Sequence, residues 1–424
     1  MVRERVAVIG SGIAGMGAAW QLRHNADITL IERESRPGGH TNTVFVEEDG
    51  VQIPIDTGFI VFNHATYPNL VRLFEELRVD TKPAEMSFSV QHEPTGLEYN
   101  GMGLNKLFAQ RSNIFKPRFY FLISQIMRFF RVARKALQNP ASLECTVEEF
   151  TRQHGLSQDF LDLYLVPMSS AVWSTEPGKM REFPALSLIR FFQNHGFLGV
   201  DTHYPWFTVS GGSQSYRKKI LAALDPVRLP AKVVEVRENT ASSRVKLEDG
   251  SVLDFDRVII ATHADEALAM LAEPDELQSR LLPSFRYQKN IATLHTDKSV
   301  MPQTRRAWAS WNYRVQRDAS GQSEATTHYW MNALQGVSQK RDYFVSVNGS
   351  ESIRPESILY QTTYEHPVYT LEAMKAQRDL PKLNTCSPSQ RVFFCGSYFR
   401  HGFHEDAYSS AVDLASVLRP NLRV

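Results

Sequence analysis

The 424-residue chain is poor in cysteine and carries almost no net charge. Its three cysteines, Cys145, Cys386 and Cys395, show no paired spacing, which argues against a disulfide framework and against a structural zinc site. A formal net charge of +1 creates no field over the whole surface, so we expect no nucleic-acid partner. We also predict no metal site.

Long hydrophobic runs and a leader segment are missing as well. No run reaches the ~18 uninterrupted apolar residues that a membrane-spanning helix needs. Arg3, Glu4 and Arg5 lead directly into a buried-strand pattern, which is not the pattern of a signal peptide. The sequence therefore predicts a cytoplasmic protein, and peripheral binding to the inner face of the membrane stays open.

The composition is otherwise that of an ordinary globular protein. Hydrophobic residues make up 42% of the chain and charged residues 22%, which is enough to bury sizeable cores. At roughly 150 residues per domain, the length predicts two or three domains.

The N-terminal segment carries the most informative pattern. Val6–Ile9 is a continuous apolar run, typical of a strand covered on both faces. The sequence GSGIAG follows, from Gly10 to Gly15, and leads into MGAAWQL, a segment of helical composition. A second apolar run, Ile28–Ile31, ends at Glu32. The order strand, glycine turn, helix, strand and acid predicts a dinucleotide-binding unit.

Each residue of the glycine turn has a physical task. Gly10 permits the tight turn, Gly12 lets the backbone approach a pyrophosphate, and Gly15 lets the helix pack on the strand. Ile13 and Ala14 stand at the helix N-terminus, where free N–H groups and the positive end of the helix dipole favour phosphate.

Glu32 and its neighbour Arg33 form the expected adenosine end of this site. A carboxylate at the end of the second strand can accept hydrogen bonds from ribose hydroxyls, and its charge disfavours a 2′-phosphate ligand. NAD and FAD can both use such an opening, so later segments must decide between them.

Two further glycine turns follow. RPGGHTNTV carries Gly38 and Gly39, and IPIDTGFIVFN places Thr57 and Gly58 after a strand. This run resembles the flavin-dependent amine oxidase and carotenoid desaturase superfamily, in which an acid ending the second strand precedes a Gly-Gly-Arg loop and an Asp-x-Gly turn. His40 stands where that family usually has arginine. The resemblance implies that these five residues contact FAD.

Later segments agree with the resemblance. VSGGSQSYRKKILAAL (Val209–Leu224) is similar to the family's Gly-Gly turn before a helix. The next strand lends backbone groups to the adenine in the family, which implies Val233 or Val234 here. A hairpin follows, and its last strand ends at Thr262.

The C-terminal segment RVFFCGSYFRHGFHEDAYSSAVDLASVL resembles the closing strand, glycine turn and helix that meet the isoalloxazine ring. The resemblance implies that Gly396 and Ser397 lie at the flavin, where Ser397 replaces an acid that often follows this glycine. A helix starting near Glu405 would aim its positive end at the flavin N1/O2 edge, where negative charge develops on reduction. The implied cofactor is non-covalently bound FAD.

The predicted fold class is α/β, with a Rossmann-type FAD-binding domain interleaved with an α+β substrate domain. The FAD-binding domain, a three-layer unit around a mixed parallel sheet, takes residues 1–84, 206–282 and 386–424. The substrate-binding domain takes residues 85–205 and 283–385, with a helical layer and a sheet from strands such as Ile291–His295.

The superfamily oxidises amines, porphyrinogens and polyene precursors, and three features disfavour an amine here. The register of KNIATLHT puts Ala292 or Thr293 where amine oxidases have a flavin-facing lysine, and Lys289 could serve only if the alignment slips. Phe403 stands where many of them have a tyrosine of an aromatic cage. No compact acidic cluster suggests a polyamine site.

Two residues near the last glycine are the catalytic candidates, His404 and Phe403. His404, and with less support His401, could accept a proton or contact the flavin edge, but the pattern favours a pair of loop histidines satisfied by backbone carbonyls. Among the many aromatic residues of the middle segment, those that could line a long apolar channel instead of packing in a core are Trp173, Phe191 and Phe192.

We therefore expect an FAD-dependent oxidoreductase that introduces a double bond into an apolar lipid. The chain also resembles a bacterial subgroup of FAD-binding proteins associated with fatty-acyl methyltransferases and cyclopropane fatty acid synthase-like enzymes. This resemblance implies a methylated or otherwise modified acyl chain as substrate and an acyl-modifying methyltransferase as a partner. The alternatives are a soluble amine oxidase that makes peroxide and a flavoprotein that binds a partner without turnover. The sequence leaves the oligomeric state open.

The segment Phe115–Leu137 has six Lys or Arg residues and no acid. Interpreted as a helix, it has one apolar side, formed by Phe119, Leu122, Ile126, Phe129, Phe130, Ala133 and Leu137. A basic side contains Ser124, Arg128, Arg131 and Lys135. Two interpretations remain open: a core helix whose basic side meets solvent, or a helix lying on an anionic membrane surface.

Overall fold

The computed structural model describes residues 3–200, 202–224, 227–239, 242–317, 323–386 and 390–421. Within these ranges the strands are, in chain order, β1 (Arg5–Ile9), β2 (Asp27–Ile31), β3 (Thr43–Glu48), β4 (Val51–Asp56), β5 (Phe62–Asn63), β6 (Thr81–Ala84), β7 (Phe88–His92), β8 (Leu97–Asn100), β9 (Trp206–Val209), β10 (Val227–Arg228), β11 (Val233–Glu238), β12 (Ser243–Leu247), β13 (Val252–Phe255), β14 (Arg257–Ile260), β15 (Arg286–His295), β16 (Trp311–Arg317), β17 (Ser323–Trp330), β18 (Phe344–Val347), β19 (Ile358–Val368) and β20 (Val392–Phe394).

The α-helices of the same ranges surround these strands. They are α1 (Ile13–Leu22), α2 (Pro68–Glu76), α3 (Gly103–Leu107), α4 (Pro117–Ala136), α5 (Val147–Gln153), α6 (Gln158–Phe160), α7 (Val166–Trp173), α8 (Pro177–Arg181), α9 (Ala185–Asn194), α10 (Gln214–Ala222), α11 (Ala264–Met270), α12 (Glu276–Leu281), α13 (Met331–Gln335), α14 (Leu371–Gln377), α15 (Lys382–Thr385) and α16 (His404–Leu418).

One of the two main sheets of the fold is parallel, with strand order β10-β2-β1-β14-β20. β1 is buried on both faces, as its continuous apolar sequence predicts. Val6 and Val8 face the core that includes α1 and α16, whereas Ala7 and Ile9 face the core under the antiparallel sheet β11-β12-β13. This three-layer arrangement confirms the predicted α/β fold class.

A second, larger sheet has the order β19-β15-β18-β17-β16-β7-β8. Its neighbours are antiparallel except for β16 and β7, which run parallel. All of its strands come from the two segments that the sequence assigns to the substrate domain, and the parallel sheet comes from the other three. The exact domain boundaries stay a prediction.

Helix α4 occupies the segment whose role the sequence leaves open. Its apolar side is buried: Phe129, for example, packs on Phe160 at a ring-centroid distance of 5.2 Å and edge-on against Phe192 at 6.3 Å. The core interpretation is therefore correct for this side, and a bilayer cannot receive it. Arg128, Arg131 and other basic residues of α4 are exposed. No helix of the described residues is both long and apolar enough to cross a bilayer.

Candidate cofactor and substrate site

A cavity of about 1640 Å³ lies at the carboxyl ends of the parallel strands and extends to the large sheet and α4. Ligands of open α/β sheets bind at this strand edge. Pockets for a single small molecule usually measure about 300–1,000 Å³, so this cavity has room for a dinucleotide and a substrate. The predicted site residues that line it are Gly10, Gly12, Ile13, Ala14, Glu32, Arg33, Gly39, His40, Thr57, Gly58, Val233, Val234, Thr262, Gly396, Ser397, Phe403 and His404.

The turn between β1 and α1 shows why its glycines are needed. A Cβ atom on Gly15 would stand 1.8 Å from the carbonyl oxygen of Gly10, so no larger residue permits this close packing. A Cβ on Gly12 would meet no protein atom within 4 Å. Because of this empty space, the protein itself does not require glycine at position 12. Gly12 borders the cavity at the N-terminus of α1. A phosphate group in close approach would require glycine there.

Glu32 organises this turn from the end of β2. Its carboxylate accepts hydrogen bonds from the Ser11 backbone N–H (2.9 Å) and the Ser11 hydroxyl (2.6 Å), and also from the Glu34 backbone N–H (3.0 Å). A carboxylate has about four acceptor sites, so one remains for a ribose hydroxyl. Arg33 is exposed and forms an ion pair with Glu266 at the edge of the cavity.

The second glycine loop closes against the first. Gly38, which does not itself line the cavity, donates its backbone N–H to the Ser11 hydroxyl at 2.9 Å. Arg36, which sequence reasoning missed, borders the cavity and donates to the carbonyl oxygens of Gly39 (3.0 Å) and Thr41 (3.1 Å). Its guanidinium adds a positive charge near the expected pyrophosphate position. The arginine directly before the Pro-Gly-Gly sequence was the available signal.

His40 provides a test of whether the residues fit a cofactor. Its ring stacks on Tyr364 at 4.6 Å, and Nε2 is buried without a hydrogen-bond partner among the described residues. Burial, with a smaller effect of His366, holds the pKa of His40 well below its usual value, so the ring is neutral. An unpaired buried polar atom costs about 1–3 kcal/mol. A cofactor group that hydrogen-bonds to Nε2 would remove this cost, and the site therefore fits such a group.

The expected adenine contact lies on β11. Val233 pairs with Leu247 and Glu235 with Lys246, so Val234 is the extra residue of a β-bulge and stands opposite no residue of β12. A bulge leaves backbone groups outside the ladder. Val234 borders the cavity and is 38% exposed. Of the two predicted residues, Val234 is therefore better placed to offer its backbone to an adenine.

The C-terminal turn carries the two catalytic candidates. Helix α16 begins at His404, one residue before the predicted start. The Glu405 side chain points away from the cavity, because its carboxylate accepts the backbone N–H groups of Asn69 (3.0 Å) and Leu70 (2.9 Å) at the start of α2. The Glu405 side chain therefore caps α2, and the predicted flavin contact at this position, which rests on the positive end of α16, stays a prediction.

His404 lines the cavity and already has side-chain partners. Its Nε2 lies 2.7 Å from the Tyr216 hydroxyl and 3.4 Å from the Thr41 hydroxyl, and its ring stacks on Phe59 at 4.0 Å. Burial lowers the pKa of His404 to about 3, so the imidazole is neutral. The sequence pattern favours backbone carbonyls as the partners of this histidine. In the structure its partners are instead the side chains of Tyr216 and Thr41.

Strand β15 corrects the sequence-based register. Lys289 borders the cavity, whereas Ala292 and Thr293 are buried within the large sheet and do not. In the antiparallel ladder, Lys289 lies opposite Glu365 of β19, and Glu365 also borders the cavity. The prediction of Ala292 or Thr293 at the cavity is wrong for two reasons. Ala292 lies on the opposite side of the strand from Lys289, and Thr293, on the same side as Lys289, lies four residues further along the strand and does not border the cavity.

The far half of the cavity is apolar. Phe403 stacks on Phe191 at 4.8 Å and lies 5.7 Å from Trp173, and all three border the cavity. Phe192, the third residue proposed for a channel, packs in the core and does not line the cavity. The other large apolar residues that line this half include Tyr99, Leu107, Ile123, Ile126, Met127, Phe130, Tyr164, Met168, Val172, Phe197 and Val200.

The family model for flavin-containing amine oxidoreductases matches residues 13–332, more than half of the chain. The chain belongs to this family. It is therefore an FAD-dependent oxidoreductase, and the cofactor predicted from the glycine turns is confirmed.

Solved structures show the same fold at low sequence identity. A CLA-producing fatty acid isomerase from P. acnes has a TM-score of 0.68 and 14% identity, over 97% of this chain and 98% of the other. Cyclohexylamine oxidase from Brevibacterium oxydans IH-35A has a TM-score of 0.69 and 15% identity, over 99% of both chains. A putrescine oxidase bound to putrescine has a TM-score of 0.66 and 15% identity, also over 99% of both. Comparison with curated proteins found no match.

Proposed function

We propose that this FAD-dependent oxidoreductase removes hydrogen from the hydrocarbon chain of an apolar lipid. The observation that carries the proposal is the charge distribution in the cavity. Among the residues that the structure describes, none of the 24 that line the cavity between Met86 and Trp206 is Asp, Glu, Lys or Arg. The charged lining residues of the described chain belong to the cofactor half or to its border with the large sheet, and include Glu32, Arg36, Lys289 and Glu365. An ammonium group would enter the far half without a compensating charge, which is costly.

The protein's contribution to the chemistry would be positioning and exclusion of water. FAD, when bound, supplies a two-electron acceptor that can take hydride from a C–H bond. Phe403, Phe191 and Trp173 form an aromatic wall that would orient a hydrocarbon chain. Removal of two hydrogens from adjacent carbons also releases a proton, and we assign its acceptance to His404, which borders the cavity. Burial lowers the pKa of His404 to about 3, so its neutral imidazole is a weak base. We therefore assign the driving force of the step to the flavin, and to His404 only the transient acceptance of the proton.

The specific substrate that we propose is a methylated or otherwise modified fatty acyl chain. It is supported by the resemblance of the sequence to proteins associated with fatty-acyl methyltransferases, and such an enzyme is the partner that we propose. A structurally similar protein acts as a fatty acid isomerase, which shows that this fold can house a fatty acyl chain. The similar amine oxidases make amine oxidation the alternative to be tested.

Anaerobic reduction of the bound flavin tests the proposal. Bleaching of the flavin absorbance is expected with long-chain and methyl-branched fatty acids, and not with cyclohexylamine or putrescine. Rapid reduction by either amine would contradict the proposal, and no reduction by any compound would favour a flavoprotein without turnover.

Two variants of α4 make this test specific to the apolar half of the cavity. Ile126→Trp places a large side chain in the cavity, because Ile126 lines it. Ser124→Trp adds the same side chain at an exposed position of the same helix. Ile126→Trp should abolish reduction by the lipid at unchanged FAD content, and Ser124→Trp should not. Equal reduction in both variants would show that the substrate does not pass this part of the cavity.

A further inference from the structure

The apolar half of the cavity opens to the surface between exposed apolar side chains. Met102, Leu104, Met127 and Val200 are 43%, 76%, 46% and 63% exposed, and all four also line the cavity. We call these four residues the rim. They come from three separate segments of the chain: the start of α3, the middle of α4 and the loop after α9. Exposed apolar residues without a function are usually scattered singly over a protein surface. Four of them around the opening of one cavity therefore indicate a binding surface.

More exposed apolar side chains lie at the N-terminal end of α4. Ile114, Phe115, Tyr120 and Phe121 are 42%, 84%, 48% and 51% exposed. Tyr120 and Met127 are seven residues apart, two helical turns, and therefore share one face of α4. The apolar surface thus continues from the rim along the exposed side of the helix, while the opposite side is buried in the core.

The charge along the segment that contains α3 and α4, which carries most of this surface, has a single sign. From Tyr99 to Leu143 the sequence has no Asp or Glu and eight Lys or Arg residues: Lys106, Arg111, Lys116, Arg118, Arg128, Arg131, Arg134 and Lys135. Arg131 and Arg134 follow Met127 by four and seven residues, so they continue its face of α4. Within the described part of the chain no ion pair is formed by Arg128, Arg131, Arg134 or Lys135. Exposed apolar residues beside cations on one face are the pattern of a membrane-surface element.

We propose that the rim docks on an anionic lipid bilayer, so that an acyl chain passes from the membrane directly into the apolar half of the cavity. This proposal rests on the proposed function. It differs from the sequence-based membrane hypothesis, because the contacting residues are the rim and the exposed side of α4, and not the helix's buried apolar side. A bilayer fits better than a protein partner for two reasons: the cavity opens within the apolar surface, and a protein seated there would close the mouth. The cations of α4 that form no ion pair among the described residues also complement anionic headgroups.

Co-sedimentation of the FAD-loaded protein with vesicles tests the docking. Phosphatidylcholine vesicles are used with and without phosphatidylglycerol, at low and high salt. The wild-type protein should sediment with the anionic vesicles at low salt and be released by high salt. It should remain in solution with neutral vesicles. Wild-type protein that ignores anionic vesicles at low salt would overturn the proposal.

Matched variants identify the surface. Leu104→Ser/Val200→Ser removes rim residues and should lower vesicle affinity by at least about tenfold. Arg131→Gln/Arg134→Gln should lower it by about fivefold for each charge removed. Val51→Ser/Val252→Ser is the control, since both valines are exposed, at 63% and 48%, but lie outside the cavity. All variants should keep their FAD. Rim variants that bind vesicles like the control would overturn the proposal.

The outcome can be separated from that of the proposed function. Vesicle binding needs no turnover, so docking without lipid oxidation would contradict only the proposed function. If the wild-type protein instead forms a dimer that the rim variant abolishes, and binds no vesicles, the rim is an interface between copies of this chain and the docking proposal is wrong.

Discussion

The substitution Gly12→Ala tests whether glycine is needed at position 12 for FAD binding or for the stability of the fold. Gly12 has φ −59° and ψ 174°, which alanine adopts without strain, and its Cβ would meet no protein atom within 4 Å. The protein without cofactor should therefore be as stable as the wild type, or more stable by about 0.4–1 kcal/mol because alanine restricts the unfolded chain. The new methyl group would project toward the position that we assign to the pyrophosphate.

The effect on FAD binding should be large. Displacing the pyrophosphate would weaken its hydrogen bonds to backbone N–H groups at the start of α1, each worth about 1.5–3 kcal/mol for a charged partner. The loss of two such bonds gives about 3–6 kcal/mol, which is a rise of about 10²–10⁴-fold in Kd.

Fluorescence titration of the apoprotein with FAD measures this Kd, and urea unfolding of the apoprotein measures stability. Gly178→Ala is the matched control, because a Cβ there also meets no atom within 4 Å and Gly178 in α8 does not line the cavity. Gly178→Ala should bind FAD like the wild type. A Gly12→Ala protein that binds FAD with wild-type affinity would refute the placement of the pyrophosphate at this turn.

Three further predictions follow from individual residues. Glu32→Ala should weaken FAD binding by about 1.5–3 kcal/mol through loss of the ribose contact, and unchanged affinity in a folded variant would show that Glu32 serves only its protein partners, Ser11 and Glu34. Glu405→Ala should leave FAD affinity unchanged and lower the free energy of unfolding by about 1–3 kcal/mol, because the buried N–H of Leu70 and the partly buried N–H of Asn69 lose their acceptor; a loss of FAD affinity at unchanged stability would reverse this assignment. The free energy of unfolding should fall as the pH drops from about 7 to about 5, since burial lowers the folded-state pKa of several histidines and the unfolded chain then binds more protons; a constant value over this range, measured by urea unfolding, would contradict it. The histidines whose pKa is lowered by burial in this way are His40, His195, His295, His328, His366 and His404.

Features that depend on neighbouring residues could be predicted from the sequence. The turn from Gly10 to Gly15, the strands on either side of α1 and the position of Glu32 are set by local spacing, and the structure places them as expected. The same is true of the Gly-Gly turn before α10. Such units need only local backbone geometry and one buried strand to be recognised.

Features that depend on distant partners could not be predicted. Glu405 caps a helix 335 residues away in sequence, and His404 contacts Tyr216, 188 residues away. The orientation of Lys289 in β15 depends on the pairing with β19, and a small change of register exchanges the two faces of a strand. Helix α4 shows the same limit, because its apolar pattern suits a core and a membrane equally well until its neighbours are known.

Lipid profiling of cells tests the central claim most directly, namely that the chain uses FAD to oxidise an acyl lipid. Cells that produce the wild-type protein are compared with cells that produce Gly12→Ala at the same level, so that the two differ in cofactor binding and not in fold. The account predicts an unsaturated or otherwise oxidised acyl species that is present with the wild-type protein and missing with Gly12→Ala. Identical lipid profiles in the two cultures, with the wild-type protein carrying its full FAD, would contradict it.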